Sequence, residues 1–422
     1  MKAGFAEIDI TPPVGTRKLG FIQVIIGKRV ADPLFARAAV FSSDTTTIGF
    51  IQLDLLSIRW EEVLAIRQRI ESKFGVPARN IIISATHNHG GPAIASLGDV
   101  RAEEDYIASM ADKAVSVFGQ AFEKRCEAEV GGARAFEFNA GFNRRIIYRN
   151  GLVRTHGNFN DPHALCVEGS IDPEVFVLAA RSVDGKPLGV LVNFACHPAH
   201  HGPDDYFSAG WPGVMANALK AQGWPVPLFL NGAAGNISTS DPSRGGLDQP
   251  MNDVGRIVAE SALRAIQKIE YTRAIRVGSG AKALELPYRR YTPEEVSGTL
   301  RGAQRFVDPA AYDRGMPELI GKIERTRHLK AEVLALSLNE YDFIALPAEP
   351  FAELGLRIKE QAAPRQAIVV GYANGMVGYV PHAEAFERGG YETTFCNWSK
   401  LAPEAGEMFV DAALELSRGA AV

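Results

Sequence analysis

Short apolar runs alternate along this chain with longer amphipathic ones. Runs rich in Ile, Val, Leu and Phe read as strands near residues 5–10, 36–42, 47–55, 81–85, 187–196, 227–231, 332–346 and 367–372. Stretches with apolar residues three and four apart read as helices near 60–73, 102–124, 212–221, 252–269, 311–328 and 351–362. Pro350 opens the last of these, which sets Phe351, Leu354 and Ile358 on one face. The alternation predicts an α/β fold of mixed β-sheets layered with helices. Residues 143–171 are rich in polar and turn residues and read as a long surface loop over a site.

Several strand runs end in residues that can do chemistry. Ile81-Ile82-Ile83 leads into Ser84-Ala85-Thr86-His87-Asn88-His89-Gly90-Gly91-Pro92. In extended chain, positions i and i+2 point to the same side, so His87 and His89 can face one point. That arrangement serves a metal site, an acid–base site or a hydrogen-bonded pair in a strand-end loop. A second apolar run, from Val190, stops at Cys196-His197-Pro198. A third, Leu228-Phe229-Leu230, opens into the small-residue loop Asn231-Gly232-Ala233-Ala234-Gly235-Asn236-Ile237-Ser238. Small residues there let backbone approach a ligand closely. A fourth run delivers Glu349, and a fifth leads through Tyr372-Ala373-Asn374-Gly375 to Tyr379. Reactive residues gathered at strand ends are how α/β enzymes build sites. His200 and His201 read as loop histidines outside that set, and His382, near Tyr379, has no assigned role.

Composition narrows the partners. Of 422 residues, 46% are hydrophobic and 22% charged, which is ordinary for a globular chain, and the net charge is −4. No basic stripe points to nucleic acid, and no polybasic segment to an anionic membrane surface. No run of about 18 apolar residues predicts a membrane-spanning helix. The start, Met1 to Asp9, has no apolar signal core. Cys126, Cys166, Cys196 and Cys396 are widely spaced and form no Cys-x-x-Cys pair. Reduced thiols and a cytoplasmic location are the expectation. Because the candidate residues run from position 87 to 391, residues 1–422 are expected to form one catalytic domain.

Set in order, these segments resemble the neutral/alkaline (non-lysosomal) ceramidase family. The matching stretches are Asp9-Ile10-Thr11-Pro12 with Gly20-Phe21, Asp32-Pro33-Leu34-Phe35-Ala36-Arg37-Ala38, and Thr86 to Pro92. They continue with Asn143-Arg144, Ala195-Cys196-His197-Pro198, Asn231-Gly232 and Gly235 to Ser238. The last are Pro347-Ala348-Glu349, Gly371 to Asn374, Gly378-Tyr379-Val380 and Tyr391-Glu392. The resemblance implies a zinc amidohydrolase that cleaves the amide of an N-acyl compound with metal-activated water. It implies that His87, His197, Glu349 and Tyr379 hold zinc. It places His89, Arg144, Ser238 and Tyr391 around the scissile amide, with Gly20 lining the substrate pocket. A zinc esterase or lactonase, and a binding protein without turnover, are the alternative readings.

The chain departs from the family in three ways. It is expected to lack the family's additional C-terminal β-sandwich domain after Tyr391. The family's Gly-Asp-x-Ser-Pro reads Gly235-Asn236-Ile237-Ser238-Thr239, and its Asn-x-Tyr reads Asn374-Gly375-Met376. The metal set stays intact while the pocket wall changes, so a smaller or more polar N-acyl substrate than ceramide is expected. Of the Arg144–Arg145 pair, one is expected to be solvated or salt-bridged.

Overall fold

The computed structural model describes residues 1–419 of the 422. Eight strands form the larger sheet: β1 (Lys2–Asp9), β2 (Phe35–Ser42), β3 (Thr47–Leu53), β4 (Ile81–Ala85), β5 (Cys126–Phe136), β6 (Glu174–Ser182), β7 (Pro187–Phe194) and β8 (Pro227–Asn231). Their order across the sheet is β8-β7-β6-β5-β1-β2-β3-β4. The middle of the sheet is antiparallel, while the pairs at its two edges, β3·β4 and β7·β8, are parallel. The smaller sheet holds β9 (Val277–Pro287), β10 (His328–Leu338), β11 (Tyr341–Ala345) and β12 (Gln366–Val370). It too is antiparallel until its edge pair β11·β12, which is parallel.

Side-chain alternation explains how the sheets stack. In β3, Ile48 and Phe50 face the smaller sheet while Ile51 and Leu53 face the helices Trp60–Phe74 and Glu104–Glu123. In β10, Leu334, Leu336 and Leu338 face the larger sheet, and Val333 and Ala335 face the helices Ala352–Gln361 and Ala405–Gly419. The result is four layers: helices, eight strands, four strands, helices. Phe343 sits between the sheets, with ring centroids 5.0 Å from Phe50 and 6.0 Å from Phe176.

The predicted α/β class and most elements are present. Two expectations need correction. The run at 332–346 is not one strand but β10 and β11, which reverse at Asn339, a residue with φ 54°. Residues 143–171 are not a plain loop. They build a three-stranded sheet of Arg145–Tyr148, Val153–Thr155 and Ala164–Val167. Alternation over only three or four residues is too short to stand out among turn residues. No helix among the described residues is long and apolar enough to cross a membrane. The four cysteines are free thiols, and Cys196 and Cys396 are buried.

Candidate metal centre

Each parallel edge pair points its carboxyl ends the same way, which is where open α/β sheets hold ligands. β4 leads to His87 and His89, and β7 leads to His197. β11 leads to Glu349, and β12 leads to Tyr372 and then Tyr379. Glu349 and Tyr379 lie side by side because two short parallel strands pair them in register. The segment after β12 is zipped onto β4: Asn374 N–H donates to Ile83 O at 2.7 Å, and Asn374 Oδ1 accepts from Ile83 N–H at 2.9 Å. Asn231 ties the histidine loops together. Its Nδ2 donates to Thr86 O at 3.1 Å, and its Oδ1 accepts from Cys196 N–H at 3.3 Å.

The three histidines meet through their Nε2 atoms. His87 Nε2 lies 3.0 Å from His197 Nε2 and 3.3 Å from His89 Nε2. Each Nδ1 faces a backbone carbonyl: Leu56 O at 2.8 Å for His87, Gly20 O at 2.7 Å for His89, and Ala234 O at 2.7 Å for His197. A carbonyl only accepts, so each Nδ1 carries a proton, and a singly protonated ring turns an Nε2 lone pair inward. Glu349 Oε2 lies 3.2 Å from both His87 Nε2 and His197 Nε2, yet it is buried and accepts no hydrogen bond. Four lone-pair donors converge with no proton among them. That arrangement is repulsive unless a cation sits between them. Nitrogens bound tetrahedrally to zinc are about 3.3 Å apart for bonds of about 2.05 Å. The residues present therefore fit a metal ion. His87, His89 and His197 form the candidate metal group among the described residues.

Local charge follows from this packing. Burial, then Arg144 and His87, push the His197 imidazolium down to about 4. Burial, then His87 and His197, hold His89 well below the ordinary histidine value. Burial opposes the charge of Glu349, but His87 and His197, where protonated, outweigh it and hold the carboxyl well below its usual range. Burial and Glu349 push the Tyr379 phenol well up. Arg144 works against that, donating from Nη2 to Tyr379 Oη at 3.1 Å. His87 has φ 66°, and its ring stacks on Tyr372 with centroids 4.1 Å apart. A non-glycine residue in this left-handed region marks backbone held in place by its surroundings.

The remaining sequence candidates separate. Arg144 is buried, donating from Nε to Glu392 at 2.8 Å and from Nη2 to Gly235 O at 2.8 Å. Arg145 is buried as well and meets the other oxygen of Glu392 at 2.9 Å, so neither arginine is solvated and both are ion-paired. Tyr391 stands in the cavity wall, its ring 5.7 Å from Tyr379 and 5.2 Å from Phe306. Gly20 lines the cavity and accepts from His89. A Cβ there would lie 2.6 Å from His89 O at a φ of 135°, so the close approach needs glycine. Ser238 is buried, accepts from Ser240 N–H at 3.3 Å, and is not among the residues lining the cavity. His200 bonds Gln249 O, His201 bonds Asp204 and Tyr206, and His382 bonds Glu384, all outside the cluster.

The cavity in front of the cluster has a volume of about 520 Å³. Phe21, Ile22, Leu97, Phe306, Val307 and Met376 give it an apolar wall. Its polar points include the cluster, Arg144, His156, Asp248, Asn397 and Lys400. Sequence reasoning passed over His156, Glu392 and Lys400 because each reads locally as an ordinary polar residue. Only Glu392 had a signal, its place directly after Tyr391.

Fold and centre define an αββα protein with a buried histidine–carboxylate site at strand ends. The comparisons with known proteins place that class. No family model matches the chain. The chain is similar to neutral ceramidase of Pseudomonas aeruginosa, 22% identical over 481 aligned positions that cover 90% of this chain and 67% of that protein. The crystal structure of neutral ceramidase from Pseudomonas aeruginosa superposes with a TM-score of 0.75 at 20% identity, covering 100% of this chain and 75% of that one. A structure described as ceramidase complexed with C2 gives 0.74 at 17% identity, covering 99% and 74%. The chain is similar to the neutral ceramidases and has their fold.

Proposed function

We propose that this chain is a zinc-dependent amidohydrolase that cleaves the C–N bond of a small N-acyl compound, and that residues 1–422 act as one catalytic domain. The observation that carries the reading is the convergence of His87, His197 and Glu349 at one point of a largely apolar cavity that Tyr379 also lines. Those four residues would hold the metal, and His89 stands within reach of the same point. When bound, zinc would polarise the amide carbonyl and supply an activated water. The amidase assignment draws on the likeness to neutral ceramidase, and the donor set suits zinc.

The chain's own residues divide the remaining work. Arg144 is anchored by Glu392 and Gly235 O, so its guanidinium is held rigidly where it can stabilise negative charge on the amide oxygen. Tyr391 can add a hydroxyl donor from the wall. His89, oriented by Gly20 O with Nε2 free, can take a proton from the attacking water and hand it to the leaving amine. The apolar wall would take the acyl chain and exclude water. Ser238 would hold its loop in place rather than attack, since no base lies within hydrogen-bond distance of its hydroxyl.

Purified protein should contain about one zinc per chain by the ligand count of a catalytic site. His197→Ala and Glu349→Ala should each lose it, as read by elemental analysis. Matched amides and esters of the same acyl group, assayed side by side, test the reaction. Absence of tight zinc binding would overturn the reading, and turnover confined to esters would move it to the esterase class.

A further inference from the structure

Two buried lysines, Lys18 and Lys400, and the half-buried Lys359 differ in how their charge is met. Lys359 donates to Asp172 at 2.6 Å and to Glu174 at 3.1 Å. Lys18 lies in the field of Asp204 and Asp205 and does not line the cavity. Lys400 is only 9% exposed and lines the cavity. Its Nζ donates to Val377 O at 2.7 Å and to Asn397 O at 2.6 Å. The third ammonium proton has no partner among the described residues, and no carboxylate pairs with it. Its surroundings make the deficit worse. Burial, then the like charge of Lys322, pull its pKa down to about 8. Cys396 beside it is pushed up to about 12 by burial and stays neutral.

The cavity's own acids form no ion pair with this charge among the described residues, and the field of Glu349 supports it less than burial and Lys322 oppose it. Glu349 faces His87 and His197. Asp248 is held through Oδ1 by the hydroxyls of Thr239 and Ser240, at 2.9 Å each. A buried ammonium without a counter-charge is costly, and a neutral donor would hold two carbonyls for less. The cost is recovered when an anion arrives and forms a charge-assisted hydrogen bond in a site shielded from water.

We propose that Lys400 recognises a carboxylate on the substrate, so that the cavity selects an amide bearing a carboxylate over a neutral one. The proposal rests on the amidohydrolase reading for the word amide, and on Lys400 alone for the word carboxylate. It separates this chain's substrate from ceramide, which carries no charge. Val377, whose carbonyl Lys400 holds, is two residues from Tyr379, so the ammonium sits beside the metal-binding segment. The carboxylate can belong to the amine half, as in an N-acyl amino acid, or to the acyl half, as in a dicarboxylic acid monoamide.

Three probes of similar length test it: N-hexanoylglycine, the monobutylamide of adipic acid, and neutral N-hexanoylethanolamine. Binding is read by the fluorescence of Trp398 in the cavity wall, with and without added zinc, and hydrolysis by amine release. Wild-type protein should bind one carboxylated probe at least about tenfold tighter than the neutral one, the scale of one charge-assisted contact. Which probe wins assigns the half. Lys400→Met should bring the carboxylated probe's affinity down toward that of the neutral one, and Lys400→Arg should keep part of the preference. Equal affinities in the wild type would overturn the proposal without any variant. So would a Lys400→Met protein, folded by its melting curve, that loses charged and neutral probes in equal proportion, since that marks a purely structural lysine. A carboxylate preference without hydrolysis would sink the amidohydrolase reading and leave this one standing. Hydrolysis without preference would do the reverse.

Discussion

Arg144 and Arg145 are adjacent in sequence, yet both guanidiniums turn onto Glu392, one on each oxygen. Thr155 adds a hydroxyl at 2.7 Å. Burial opposes the Glu392 charge, but the two arginines outweigh it and bring its carboxyl down to about 2 from an ordinary 4.5. As pH falls, the unfolded chain therefore takes up this proton first. The group's stabilisation is complete above about pH 4.5 and is lost as pH falls toward 2. Glu392→Gln should cost about 3–5 kcal/mol at neutral pH, because two buried cations lose their partner. It should also lose less further stability than wild type between pH 4.5 and 2. Urea unfolding at pH 7, 4.5 and 3 checks both. Ser238→Ala should reduce turnover without abolishing it, and mass spectrometry should find no acyl adduct on Ser238 in the wild type. At this scale the sequence displays residue type and order, so His87, His89, His197, Glu349 and Tyr379 could be singled out. Partners cannot be read that way: Glu392 lies 248 positions from Arg144.

Between residues and molecule stand the strands that carry the donors, and the most telling is β4. Its three isoleucines are fully buried, and both the backbone and the side chain of Asn374 hold Ile83. Asn374 has φ 60°, a conformation asparagine accepts more readily than most residues. Asn374→Ala should leave a buried Ile83 N–H without an acceptor and add left-handed strain, costing about 2–4 kcal/mol in all. Asn374→Gly should cost about 1 kcal/mol less, because it relieves the strain but not the lost bond. Denaturant unfolding orders the two, and reduced zinc retention in both would show that the zipper positions His87. Strands as apolar as β4 were legible. β5 was not: Cys-Glu-Ala-Glu-Val-Gly-Gly-Ala-Arg-Ala-Phe has two glycines and three charges. Its glycines answer a tertiary demand, for a Cβ on Gly131 would lie 2.5 Å from Glu270 O and one on Gly132 2.6 Å from Tyr341 Cζ. Close packing overrode strand propensity there, and no local window contains Glu270 or Tyr341.

Seen whole, the molecule draws its candidate donors from two different sheets. His87 and His197 hang from the eight-stranded sheet, and Glu349 and Tyr379 follow strands of the four-stranded one. Nothing in the local pattern says that the two sheets stack, since alternation specifies a buried face but not what covers it. The ordered resemblance grouped these four residues into one site where physical reading stopped, without saying which sheets carry them. A metal held by these donors would clamp the sheets together at their carboxyl ends, while Phe343 and its aromatic neighbours hold them apart at the right spacing. The two should therefore be coupled. Zinc should stabilise the wild type by about 2.7 kcal/mol at a free concentration 100 times its Kd, and by about 1.4 kcal/mol more for each further tenfold rise. Phe343→Ala removes a fully buried ring and should cost about 3–5 kcal/mol by transfer and cavity formation. It should also weaken zinc binding, although Phe343 touches no donor, because looser stacking lets the two halves of the site drift. His87→Ala should behave oppositely, abolishing the zinc dependence of the unfolding midpoint with a smaller loss of metal-free stability. Unfolding midpoints measured across a series of buffered zinc concentrations for the three proteins decide the point. An unchanged zinc affinity in a folded Phe343→Ala protein would mean that the site is assembled by its own loops, without help from the sheet packing.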